Sequence, residues 1–242
     1  PVVLFARYLK LDFRNTFRLR GFRPVHVLAL LLLFAGSFFL LLELAILQRH
    51  FIPAPVEVSE RVSTAVKRGD FWLAVLAIAV SPAICEEIMF RGFVLAGLGK
   101  YSRWARILVN GVLFGLFHLL LFRILPTAFL GIVIAFLVVY SGSIFPGMLF
   151  HLTNNFVGLA LIYYSRESAA FFKEIGLGEN AADWFEGKAH LPWALLVASA
   201  AILLVGAALI WRFRPREKRS AAGEVVESEP RHVSNEKEIQ QT

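Results

Sequence analysis

The stretch Phe71 to Leu98 reads FWLAVLAIAVSPAICEEIMFRGFVLAGL. It is apolar from end to end except at Pro82, Glu86, Glu87 and Arg91. A bilayer core about 30 Å thick needs about 20 such residues, so the run is long enough to span one. Ionisable groups inside a span are expensive and default to functional candidates. The whole chain supports that setting. Hydrophobic residues make up 57% of its 242, charged residues only 18%, and the mean hydropathy is +0.64. A soluble domain carries about 25% charge. Twenty-three Phe and five Trp are more than one small aqueous core can hide. Composition therefore excludes a disordered chain, a collagen-like chain and an ordinary soluble enzyme. What remains is an all-α, polytopic membrane helix bundle. The single cysteine, Cys85, excludes a disulfide framework and a Cys-based zinc site.

Five more apolar segments flank this one: Val25–Leu47, Ile107–Phe122, Leu125–Tyr140, Ile144–Tyr164 and Leu191–Trp211. Six spans are thus expected. The units are a leader (1–24), a first span with its polar loop (25–70), a central core (71–164), an acidic loop with the last span (165–211), and a tail (212–242). The tail has too few apolar residues to fold alone, and beyond Arg219 it is expected to be disordered. No internal repeat is visible, whereas a transporter of inverted repeats shows matching interrupted helices in both halves. The first apolar run begins only near Val25 and is too long for the h-region of a signal peptide. Pro1 in place of Met leads us to expect a processed or excerpted chain.

The leader carries Arg7, Lys10, Arg14, Arg18, Arg20 and Arg23 against one acid, Asp12. Phe5, Leu9, Phe13 and Phe17 recur every four positions. This pattern predicts a basic amphipathic helix on a leaflet of anionic lipid headgroups. Basic residues also gather at Lys100, Arg103 and Arg106, and after Trp211. With six spans these regions share one side, which the positive-inside rule makes cytoplasmic. Both termini are then cytoplasmic, and the acidic 166–190 loop is outside.

Three clusters of polar residues interrupt the apolar segments. In the first, Glu87 and Arg91 are four apart on one helical face and can pair. Glu86 points about 100° away and is left to face a cavity, the setting of a general base. The second is His118, in Phe114-Gly115-Leu116-Phe117-His118. The third is His151-Leu152-Thr153-Asn154-Asn155, where His151 and Asn155 share a face. At 1.5 Å per residue Glu86 and His151 reach compatible depths, about 22 Å from the outer end and about 10 Å from the inner end of their segments. His118 sits about 17 Å up its own, so that segment starts beneath the surface, tilts, or has other boundaries. One surplus carboxylate, two imidazoles and a carboxamide suit activation of water. Glu86, His118, His151 and Asn155 are candidate ligands of Zn²⁺ with an open position for water. A metal-free route has Glu86 take the proton of water while a His and Asn155 stabilise the oxyanion. Either way the chemistry is hydrolysis within a membrane, most simply of an amide.

Glu-Glu-x-x-x-Arg at 86–91, Phe-x-x-x-His at 114–118 and His-x-x-x-Asn at 151–155 together resemble the CPBP family of CAAX prenyl proteases and Abi bacteriocin-processing membrane proteases. Phe90-Arg91-Gly92-Phe93 and Gly142-Ser143-Ile144-Phe145-Pro146 fit as well. The resemblance covers 71–164 and implies an all-helical intramembrane endopeptidase. In it Glu86 activates water, Glu87 and Arg91 support the site, His118, His151 and Asn155 complete it, and metal dependence is a family-level label. The substrate implied is a membrane-associated peptide or protein, not nucleic acid. The chain resembles bacterial members, so the bacterial inner membrane is the expected location. Bacteria do not generally prenylate proteins, so a prenylated CAAX substrate is not expected. It also reads as the protease module of a longer polypeptide. The rival is a non-catalytic scaffold or immunity factor, or a transporter component using the same groups as a proton relay.

Overall fold

The leader does not form the single helix that its periodicity predicts. Helix α1 (Val2–Tyr8) ends before Lys10, which has φ 54°. The Asp12 carboxylate then accepts from the amides of Arg14 and Asn15 and starts a separate short helix, α2 (Phe13–Thr16). Asp12 is the reason the stripe breaks, because an N-cap aspartate satisfies amides at a helix start. Nor does the leader lie wholly at a lipid surface. Ala6, Phe17 and Arg18 are buried against the bundle.

The computed structural model describes residues 1–53, 55–175, 183–184, 188–215, 217–219 and 225–227. Pro24, in the first turn where no amide partner is needed, opens α3 (Pro24–Phe51). The polar 48–70 stretch holds a further helix, α4 (Val56–Arg68). The Asp70 side chain caps α5 (Phe71–Gly97) by accepting from the Leu73 amide. Ser102 caps α6 (Arg103–Phe117) in the same way. After a 3₁₀ turn at Leu121–Arg123 come α7 (Ile124–Ser141) and α8 (Phe145–Tyr163). Helix α9 (Ser165–Glu174) opens the acidic loop, and α10 (Trp193–Arg212) follows it.

Among the described residues five helices are long and apolar enough to cross a membrane: α3, α5, α7 with its preceding turn, α8 and α10. The sixth expected span is corrected. Its segment is α6, which starts at Arg103 and stops at Phe117. Fifteen residues give about 22 Å, short of a bilayer core of about 30 Å. The apolar residues beyond it, Leu119 to Phe122, leave the α-helix, with Leu119 at φ 53° and Leu121 and Phe122 in the 3₁₀ turn.

Helix α7 lies at the centre, supplying Leu130, Val133, Ile134, Ala135, Leu137 and Val138 to the core. Around it pack Leu30 and Leu33 of α3, Phe90 of α5, Ile107 and Phe114 of α6, Phe150 of α8 and Ile210 of α10. Small residues bring α6 and α7 close. A Cβ on Gly131 would lie 2.9 Å from the Gly111 carbonyl oxygen and 3.0 Å from the Phe114 Cβ. Such close approach is the usual means of helix association in lipid. The outer faces stay apolar, with Leu28 and Leu31, Leu108 and Val112, and Leu204 and Val205 exposed. Apolar exposure on this scale suits lipid, not water.

Polar contacts fix the two ends. At one, His26 Nε2 meets the Phe213 carbonyl at 3.4 Å, joining the start of α3 to the end of α10. At the other, the Gln48 carboxamide donates to the Leu121 carbonyl and accepts from the Leu125 amide. There too Glu43 meets His190 Nδ1 at 2.6 Å and accepts from the Leu191 amide at 3.0 Å. Beyond α10, β1 (Glu217–Arg219) and β2 (Val225–Glu227) pair antiparallel. That short pairing departs from the disorder expected of the tail; the rest of that expectation falls on residues outside those described.

Candidate active site

Helix α5 changes winding twice. Val75–Val80 and Ile88–Val94 are π-helical, and the α-helical turns Ser81–Glu87 between them carry both glutamates. A π segment displaces carbonyls from their usual i+4 partners and is frequent at functional sites. In lipid each displaced carbonyl needs another donor. Three side chains from elsewhere in the chain serve this need. Asn155 Nδ2 donates to the Ile78 carbonyl at 3.1 Å, Asn110 Nδ2 to that of Phe90 at 2.8 Å, and Arg18 Nη1 to that of Arg91 at 3.0 Å.

The pair read from the spacing is present. Arg91 Nη1 donates to Glu87 Oε1 at 3.0 Å, and both side chains are fully buried. Arg91 Nη2 donates to the Gly131 carbonyl at 3.0 Å, and the guanidinium lies over the Phe114 ring, 4.4 Å from its centroid. Gly147 leaves room for the carboxylate, since a Cβ there would stand 3.2 Å from Glu87 Oε2.

Glu87 Oε1 also meets His151 Nδ1 at 3.0 Å. An ionised carboxylate only accepts, so the proton of the neutral ring sits on Nδ1 and Nε2 carries a lone pair. His151 Nε2 then faces Glu86, 4.0 Å from its Oε2. That oxygen is buried and has no hydrogen-bond partner. The 100° divergence of the two glutamates does not keep them from one group: both face His151. They diverge, but the imidazole is wide enough to present one nitrogen to each. The 4.0 Å gap is too long for a direct hydrogen bond. A gap of that size is one that a water placed beside it would bridge.

The structure brings Glu86, Glu87, Arg91 and His151 together. His118 is one ring removed. It caps the end of α6, its Nδ1 is 2.8 Å from the Phe114 carbonyl, and its ring packs on Phe114. Phe114 in turn touches the His151 ring, at 5.7 Å between centroids. Asn155 lies one turn beyond His151. One N–H of its amide is used on Ile78, and Asn154 Nδ2 donates to its Oδ1 at 3.3 Å.

Both imidazoles have Nδ1 beside an oxygen acceptor, which suits metal ligation through Nε2. The placement does not suit it. Among the described residues no three His, Cys, Asp or Glu side chains converge to hold an ion. The residues as arranged do not fit the expected Zn²⁺.

Sequence reasoning missed Asn110, Arg18 as a partner of α5, Phe114 as the ring between the two histidines, and Gly131 and Gly147. Asn110 had a signal, a carboxamide in an otherwise apolar helix. Phe114 was quoted only as a motif letter.

Five apolar helices with buried ionisable groups define an integral membrane protein, an all-α polytopic bundle. Residues 68–157 match the family model described as Rce1-like, type II CAAX prenyl endopeptidase. This segment, 90 of the 242 residues, holds all six residues singled out above and is similar to that family, as its three motifs led us to expect. That family is one of CAAX-type endopeptidases, so the likeness of this segment is to a protease. No curated protein and no solved structure matches the chain.

Proposed function

We propose that the chain hydrolyses peptide bonds of membrane-associated substrates, with Glu86 as the general base. The observation that carries this reading is the unpartnered, buried Oε2 of Glu86, 4.0 Å from a His151 nitrogen whose ring is oriented by Glu87. Glu86 takes one proton from water as the water oxygen bonds to the carbonyl carbon. His151 Nε2 accepts the other water hydrogen as a hydrogen bond and aims the attack. The tetrahedral oxyanion needs an N–H donor. Asn155 has one, because its amide carries two and the Ile78 carbonyl takes one. Glu86 then passes its proton to the amide nitrogen, and the C–N bond breaks. His118, with Nε2 turned away from the Phe114 carbonyl, serves on the substrate side of the Phe114 ring. The route uses side chains alone.

The substrate approaches within the bilayer, since Glu86 is partly exposed on a helix whose neighbours Ile84 and Cys85 are exposed. Both ends of the chain, joined by the His26–Phe213 contact, are assigned to the cytoplasmic face of a bacterial inner membrane, where basic residues gather. The short α6 and the turn after it carry the chain back across, from beside Tyr140 at one end to Gln48 at the other. Arg7 and Lys10, both exposed, meet its anionic headgroups. The test is turnover of quenched membrane peptides by purified protein and by Glu86→Gln. Equal cleavage by both removes Glu86 from the base role. Cleavage by neither, across several peptides, favours a non-catalytic scaffold.

A further inference from the structure

The leader lies outside the matched segment, yet it grips the two helices that carry the site. Phe17 is buried and covers Gly92 in the second π segment; a Cβ on Gly92 would stand 2.4 Å from the Phe17 ring. Phe5 packs against Phe93, at 5.8 Å between ring centroids. Arg18, only 7% exposed, donates to the Arg91 carbonyl at 3.0 Å. Its own carbonyl accepts from the Ile144 amide at 3.2 Å, at the start of α8. Two residues on, the Arg20 carbonyl accepts from Ser143 Oγ at 2.6 Å. Arg18 holds φ 49°, a left-handed conformation that a non-glycine residue keeps only when its surroundings fix it. One residue therefore links the backbone of α5, four positions from Glu87, to the start of α8, seven positions from His151.

We infer that the leader is a strap that sets the spacing between the Glu86–Glu87 helix and the His151 helix, with Arg18 as its positioning residue. Arg18 touches no reacting atom. It acts by holding the π-helical carbonyl of Arg91 and the first turn of α8 to one guanidinium-bearing residue. A slip of about 1 Å between two catalytic groups is enough to cost roughly 10²-fold in rate. The effect on turnover rests on the peptidase reading; the docking does not.

The test uses the full chain in one detergent, with Arg18→Ala, Arg18→Lys and Gly92→Ala. The last displaces Phe17 without altering Arg18. Cys85, the sole cysteine and exposed, neighbours Glu86 and reports on that turn through its rate of alkylation. In the wild type, amides of residues 1–20 should exchange slowly. In Arg18→Ala and Gly92→Ala they should exchange freely, the Cys85 rate should change, and kcat should fall roughly 10- to 100-fold with KM little altered. Arg18→Lys should recover part of each. An unchanged Cys85 rate in both undocked variants, or a leader that exchanges freely in the wild type, overturns the strap whether or not any peptide is cleaved. A lower melting temperature with unchanged kcat overturns it as well, because the leader is then only structural. Absence of turnover in the wild type, beside a protected leader and a responsive Cys85, sinks the peptidase reading and leaves the strap standing.

Discussion

Glu86 and Glu87 are consecutive in the chain and sit in opposite surroundings. Around Glu87 the charge is met: Oε1 takes two partners, although Oε2 is buried without a hydrogen-bond partner. Its carboxylate faces a guanidinium and an imidazole N–H, Arg91 spends a further N–H on the Gly131 carbonyl, and neither side chain touches solvent. Around Glu86, among the described residues, no guanidinium or ammonium is in hydrogen-bond contact. Its side chain is 23% exposed, one oxygen has no hydrogen-bond partner, and the nearest charged or basic group stands 4.0 Å off. The difference follows from helix geometry, because a rotation of about 100° carries one residue into the bundle and the next to its edge. A buried carboxylate in contact with a guanidinium holds a structure; a half-buried one without such contact, beside an oriented imidazole, is available for a proton.

The sharpest way to break this contrast is to neutralise the open side. Glu86→Gln keeps the shape and removes the proposed base. Turnover should fall by about 10²–10⁴-fold, the span of general-base contributions, with melting temperature unchanged. A large loss of stability would show that Glu86 belongs to the closed side.

The closed side should respond in the opposite manner. Arg91→Ala strands a buried carboxylate and should cost about 3–5 kcal/mol of stability, seen as low yield or a depressed melting temperature. Glu87→Gln combined with Arg91→Met leaves no stranded charge and should be milder than Arg91→Ala alone. Melting curves of the three variants in one detergent decide it. If Arg91→Ala melts normally and only turnover falls, the arginine contacts the substrate.

How much of this was legible beforehand varies with the range of the interaction. The Glu87–Arg91 pair and the shared face of His151 and Asn155 follow from i, i+4 spacing, so the sequence showed them. The start of α3 at Pro24 was equally readable. The π segments were not, because their displaced carbonyls are satisfied by Arg18, Asn110 and Asn155, side chains between 20 and 77 positions away. The short α6 was hidden for a related reason. Leu119 to Phe122 are as apolar as a helix interior, but Gln48 holds the backbone at Leu121 and Leu125 in a turn. Hydropathy cannot see a carboxamide from another helix. The docking of the leader was masked by its charge, since Arg18 reads as solvated until its partner on α5 is known.

Asn155 tests whether the open side extends beyond Glu86. Removing an oxyanion donor costs about 10²–10³ in kcat elsewhere, and Asn155→Ala should approach the lower end while KM stays near the wild-type value. Because the same amide holds the Ile78 carbonyl, hydrogen exchange over residues 75–80 separates the two roles. A loss of protection there with full activity would make Asn155 purely a brace for the π segment.

The smallest expected effect is that of removing metal. Beside Glu86 stands one imidazole nitrogen, His151 Nε2, while Asn155 Oδ1 accepts from Asn154 and His118 lies across the Phe114 ring. A chelator should therefore leave turnover within about twofold, given that Zn²⁺ binding needs at least three protein ligands at a catalytic site. Metal analysis of the purified protein should return well under one equivalent, and His118→Ala should not change it. If chelation abolishes activity and Zn²⁺ alone restores it, His118 and Asn155 must swing inward to join Glu86 and His151. The closed side around Glu87 would then be the outer support of a metal centre, with His151 Nδ1 still held by Glu87 and its Nε2 turned to the ion.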